Sequence, residues 1–138
     1  MITSSLLLIP SLLRQLAPGR KLAVLTADSR HLSDDLLGIQ DVVDRERTVV
    51  GGLQDSAYMR NALAHPFVPT DVDHIEQEVG DRIAGLRAYH SEIAMLLFEC
   101  TGFPIVAKAL RRKTRLPIYD ITDLCKLTLS TVVNRDLI

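Results

Sequence analysis

The sequence predicts an α/β fold: a three-layer α/β/α lobe on a four-stranded, mostly parallel sheet. Three observations predict it. Short apolar, β-like runs alternate with helical segments along the whole chain. One run, Ile93–Phe98 (IAMLLF), is apolar at every position, as a strand covered on both faces must be. Finally, Val72, Ile75, Val79, Ile83 and Leu86 recur in steps of three and four, which makes one helical stripe.

Taken in order, Ser4 or Ser5 caps a first helix that runs to about Leu16, with Pro10 as an irregularity, and Pro18-Gly19 closes it. Its start, Leu6-Leu7-Leu8-Ile9, is too short to span a membrane and has no basic residue before it, so it reads as a packed helix. Lys21–Thr26 (KLAVLT) is a first strand, followed by the turn Ala27-Asp28-Ser29. Ser33-Asp34-Asp35 starts a helix that carries Leu36 and Leu37 and ends near Gly38. Thr48–Leu53 (TVVGGL) is a second strand, in which Gly51-Gly52 marks a close backbone approach or an opening loop. Ser56–Ala64 is helical, and the two prolines of His65–Pro69 exclude a regular helix there. Thr70 or Asp71 caps the striped helix, with Gln77, Glu78 and Asp81 off its stripe. Thr101–Pro104 leads into a helix over Ile105–Arg112. Leu116–Tyr119 is the last strand, and Asp120 caps a final helix, Ile121–Val132.

A chain of 138 residues fits one domain, 1–138, and can bury a real core. With 47% hydrophobic and 24% charged residues it is globular in composition. Lys plus Arg is 16 against 17 for Asp plus Glu, which gives no electrostatic case for nucleic acid, and no membrane contact is expected. The one basic cluster, Lys108, Arg111, Arg112, Lys113 and Arg115, falls at a helix end, where cations complement the dipole. Cys100 and Cys125 form no CxxC and suit a reducing cytoplasm. His31, His65, His74 and His90 are scattered, so no metal site is expected. No Ser-His-Asp set, P-loop or GxGxxG is present.

Parallel sheets bind ligands at the carboxyl ends of their strands. That rule selects Thr26–Ser29, Gly51–Ser56, Glu99–Phe103 and Asp120–Thr122. Cys100 stands out, at the junction of the most buried strand with a helix N-terminus, where backbone N–H groups would stabilise a thiolate or hold a substrate carboxylate. Position alone leaves it open whether Cys100 is reactive or an inert buried thiol. Thr26, Asp28 and Ser29 either bind a polar ligand or simply turn the chain. Thr101 caps its helix, donates to a ligand, or does both. Glu99 points opposite to Cys100 in a regular strand, which suits a surface or supporting role better than that of a general base. Cys125, beside Leu124 in the last helix, is expected to pack in the core.

The run Leu96-Leu97-Phe98-Glu99-Cys100-Thr101-Gly102-Phe103-Pro104 resembles the second cysteine motif of the aspartate/glutamate/hydantoin racemase superfamily, with Gly102-Phe103 where Asn or His often follows the Cys-Thr pair. Thr3-Ser4-Ser5-Leu6-Leu7, Val24–Asp28, Gly52-Leu53 with Asp55-Ser56, and Leu116–Ile121 resemble other pieces of that family's second half, in order. The resemblance implies half of a two-lobe fold and a cofactor-independent amino-acid racemase, of aspartate/glutamate or hydantoin type. Cys100 would be one of two thiol acid/bases. Thr101 and Gly102 would bind a small carboxylate or carbonyl substrate, with Thr26 and Asp28 nearby. The opposing thiol would then come from a second copy of Cys100 in a homodimer or from a first lobe on a separate chain, and the chain alone would be weak or inactive. Two alternatives stand beside this: a one-thiol decarboxylase or cis-trans isomerase of the same superfamily, and a non-catalytic oligomeric lobe.

Overall fold

The computed structural model describes residues 4–133. Strands β1 (Lys21–Thr26), β2 (Thr48–Gly52), β3 (Ile93–Phe98) and β4 (Ile118–Tyr119) form one sheet in the order β2-β1-β3-β4. Every pairing is parallel. The helices are α1 (Ile9–Gln15), entered through a 3-10 turn at Ser5–Leu8, then α2 (Asp34–Leu37), α3 (Val42–Glu46), α4 (Ala57–Leu63), α5 (Val72–Tyr89), α6 (Pro104–Thr114) and α7 (Ile121–Val132).

Alternation along the strands sends side chains into two cores, one on each face of the sheet. Leu22, Val24, Met95 and Leu97 pack with Ile9, Leu12, Leu13 and Leu37 of α1 and α2. Ala23, Leu25, Leu96 and Phe98 pack with Ile75, Val79, Ile83 and Leu86 of α5 and with Val106, Ala107 and Leu110 of α6. The lobe is therefore α/β/α, as its alternating sequence predicts. Burying one such leucine or isoleucine side chain stabilises the fold by about 1.5–3 kcal/mol. The stripe predicted for α5 is buried from Ile75 onward, whereas Val72, in the first turn, stays exposed.

Strand β3 is less regular than its sequence. Lys21 pairs with Ile93, but Leu22 pairs with Met95, so Ala94 is an extra residue in a bulge. The bulge explains why Ile93 shares a core with Leu96 and Phe98 rather than with Met95 and Leu97. Strand β4 begins at Ile118 rather than Leu116; Pro117 only accepts, from the Leu96 amide.

The turns follow the chemistry of their residues. Gly38 ends α2 in the left-handed conformation, at φ 66°. Asp120 is buried and caps α7, accepting from the Thr122 amide, while Asp123 accepts from the Asp120 amide in return. Gly52 marks a close approach, since a Cβ there would lie 2.5 Å from the Ser29 amide nitrogen. The basic residues Arg111, Arg112 and Lys113 fill the last turn of α6.

Cys125 departs from expectation. It is exposed, and α7 buries none of its residues. Helical periodicity reports that a helix has an apolar side; it does not say that anything in the same lobe covers that side. Leu127, Leu129 and Val132 are likewise exposed. Among the described residues no helix is long and apolar enough to cross a membrane.

Candidate functional site

The strand order creates a crevice at one place. After β1 the chain passes to the face occupied by α1 and α2; after β3 it passes to the face occupied by α5 and α6. Neighbouring strands whose exits part in this way leave a gap at their carboxyl ends. The gap between β1 and β3 is bridged by Thr26, whose Oγ1 donates to Glu99 Oε2 at 2.7 Å. Thr26 is buried, and the Glu99 amide donates to the Leu25 carbonyl at 2.8 Å, which carries the ladder one step past β3.

Glu99 and Cys100 leave the end of β3 on opposite sides, as alternation requires. On the Glu99 side lies a cavity of about 680 Å³. Thr26, Asp28 and Glu99 supply its polar wall, and Leu6, Leu7, Leu32, Leu36 and Leu37 much of its apolar one. Asp28 caps the 3-10 turn Ser29–His31 and is held by Arg30, with Nε at 2.9 Å and Nη2 at 2.7 Å. Those hydrogen bonds from Arg30 hold its carboxyl well below the ordinary range, at about 2. His31 Nε2 lies 3.6 Å from the same carboxylate. The charge of Asp28 is thus already answered, while Glu99 makes no ion pair among the described residues.

On the other side, Cys100 is half-buried against the α5/α6 core. Its Sγ accepts from the Gly102 amide at 3.4 Å and lies 3.4 Å from Tyr58 Oη. Burial, and then the hydrogen bond to Cys100, push the Tyr58 phenol above its ordinary range, so it keeps its proton. Thr101 and Gly102 wall a second hollow of about 390 Å³ together with Tyr58, Phe67 and Ile105. The five residues singled out from sequence thus fall into two groups astride the end of β3. Thr26 and Asp28 stand with Glu99, and Thr101 and Gly102 stand with Cys100.

Tyr58 is the residue that sequence reasoning missed. It belongs to α4, and it is set in place by Glu78 of α5, which accepts from the Ala57 and Tyr58 amides at 2.8 and 3.0 Å. Ser56 caps the same turn through the Met59 amide. The Tyr58 ring leans on Phe103, with centroids 5.6 Å apart. The signal that could have found it is Gly102: a Cβ on residue 102 would overlap Tyr58 Oη. Among the described residues no group of three or more His, Cys, Asp or Glu could hold a metal ion.

No family model matches the chain, and no solved structure does. Curated proteins do. Over 137 residues it is 28% identical to dimethylsulfoniopropionate lyase 7 of Emiliania huxleyi, covering 95% of this chain and 40% of the relative. Over 141 residues it is 26% identical to dimethylsulfoniopropionate lyase 3 of the same organism, covering 95% of this chain and 36% of the relative. A dimethylsulfoniopropionate lyase of Durusdinium is 28% identical over 123 residues, 86% of this chain and 40% of its own. The chain thus spans 36–40% of the length of these relatives.

These findings correct the expectation drawn from the Glu-Cys-Thr motif. The relatives are named dimethylsulfoniopropionate lyases, so the racemase assignment falls, and the alternatives of a decarboxylase, a cis-trans isomerase or a non-catalytic lobe find no counterpart in those names. The physical reason is that a short motif around a thiol places a base at a strand end. It does not say which bond the base acts on.

Proposed function

We propose that this chain carries the thiol base of a lyase site for a small sulfonium carboxylate of the dimethylsulfoniopropionate type. In the proposed step the Cys100 thiolate removes a proton from the carbon next to the carboxylate. The C–H electron pair becomes the carbon–carbon double bond, and the bond from carbon to the sulfonium sulfur breaks. Its electron pair leaves on neutral dimethyl sulfide, and acrylate remains. The thiol then loses its proton to solvent. One base suffices, because the positive sulfur is already a good leaving group.

The observation that carries this reading is the setting of Cys100, between the Gly102 amide and Tyr58 Oη at the end of β3, in a chain whose curated relatives are named for that lyase. Thr101 and the open N-terminus of α6 lie beside the thiol and suit a carboxylate. Thr26 and Asp28 support the opposite wall. The test has two readouts: release of dimethyl sulfide and acrylate in equal amounts, and protection of Cys100 from iodoacetamide by dimethylsulfoniopropionate, followed by mass spectrometry. Both should be present in the native chain, and turnover should fall by at least about a hundredfold in Cys100→Ala. Turnover that survives Cys100→Ala, or the absence of both turnover and protection, overturns the proposal.

A further inference from the structure

The geometry points to the Glu99 cavity as a binding site for an onium cation, a positive sulfur or nitrogen carrying only alkyl groups. The choice of an onium rests on the lyase reading above; the chemistry of the cavity supports it separately. The cavity, of about 680 Å³, has five leucines in its wall, and of its charged groups Asp28 is paired with Arg30 and His31, whereas Glu99 makes no ion pair among the described residues. Thr26 donates to one oxygen of Glu99 and so fixes the carboxyl group with its charge at the cavity wall. Asp28 contributes little to that field, because Arg30 holds it.

Such a wall discriminates between cations. A metal ion or a primary ammonium would need several oxygen acceptors to replace its water, and the cavity supplies few. A methylated sulfonium or quaternary ammonium has no N–H to satisfy. It surrenders little hydration, its methyl groups match the leucines, and its charge faces Glu99. Glu99 and Cys100 are consecutive, with Cα atoms about 3.8 Å apart. Their side chains leave the strand on opposite sides, so the onium site and the thiol flank the end of β3.

The test uses unreactive probes: trimethylsulfonium and tetramethylammonium, with neopentyl alcohol as the uncharged isostere and ammonium as the small cation. Amide NMR shifts of residues 26–38 and Glu99 report binding. Both oniums should bind in the millimolar range and more tightly than either control, and Glu99→Gln should weaken them by at least roughly tenfold. The amide side chain of that variant keeps an acceptor for Thr26, so the fold should hold, which circular dichroism checks. A second variant, Leu36→Lys, places a cation at an exposed part of the wall and should abolish onium binding by repulsion. Onium binding no tighter than neopentyl alcohol, or unchanged in both variants, overturns the inference, whatever the turnover. Onium binding that depends on Glu99 in a chain without Cys100-dependent turnover or protection sustains the cavity assignment while the lyase reading falls.

Discussion

Tyr58 Oη lies 3.4 Å from Cys100 Sγ and occupies the space that a side chain on Gly102 would fill. Three residues, two of them nearly adjacent and the third brought in from α4, thus share one small volume. The absence of a Cβ at position 102 lets the phenol reach the thiol.

The first prediction follows from that crowding. Gly102→Ala should cost about 1–3 kcal/mol in urea unfolding, because the new methyl group must expel the Tyr58 hydroxyl. Tyr58→Phe alone removes one hydrogen bond and should cost about 1 kcal/mol. In the double variant the worst overlap is gone, so its cost should be less than the sum of the two by about 0.5 kcal/mol or more. Strict additivity would mean that Tyr58 and residue 102 do not compete for space.

Tyr58 also makes a prediction at high pH. Its folded phenol titrates above the unfolded one, so in strongly alkaline solution the unfolded chain has released a proton that the folded chain retains. The contribution is fully present below the ordinary tyrosine range and is lost as pH rises from there through the raised folded value. Alkaline unfolding should therefore be steeper in the native chain than in Tyr58→Phe. Absorbance of tyrosinate should show one of the chain's 3 tyrosines ionising late. Three overlapping titrations would contradict the burial of the phenol.

Glu78 is the positioning residue of this group. Its two oxygens hold the first turn of α4 by the Ala57 and Tyr58 amides. Glu78→Ala should destabilise the chain by about 1.5–3 kcal/mol, the range for hydrogen bonds to a charged group. It should also slow Cys100-dependent turnover more than Glu78→Gln, which keeps one acceptor. Equal turnover in the two variants, with both folded, would show that α4 is positioned by other contacts.

At the acid end, Asp28 should titrate at about 2, followed by carboxyl NMR, because Arg30 holds its charged form. The contribution of the pair to folding is present above the ordinary aspartate range and is lost as pH falls through about 2. Arg30→Ala should return the midpoint to that ordinary range. A midpoint unmoved by the substitution would assign the shift to something other than Arg30.

How much of this was legible in the sequence depends on whether the cause was local. The bounds of β1 and β3 and of the last helix follow from apolar runs and from a capping aspartate, each written within a few residues. The bulge at Ala94 was not legible, because a strand buried on both faces has no polar residue to mark a change of phase. Helix α3 was missed because it is five residues long and its Val42 and Val43 are exposed, so it has no stripe. Cys125 was misplaced because amphipathicity was read as burial. At the site, Cys100 was visible from its place at a strand end. Tyr58 was not, because it is 42 residues away and reaches the thiol only through the packing of α4 on α5.

The sheet order carries a consequence for the birth of the molecule. Strand β1 can pair with β2 as soon as the chain has emerged from the ribosome through Gly52. Its other edge must wait for β3, and the bond from Thr26 to Glu99 joins residues 73 positions apart. The candidate site is thus completed by a partner that is made long after β1 itself. A nascent chain halted before Ile93 would hold a paired β1 and β2, a second edge of β1 without its partner, and a crevice that lacks Glu99 and Cys100.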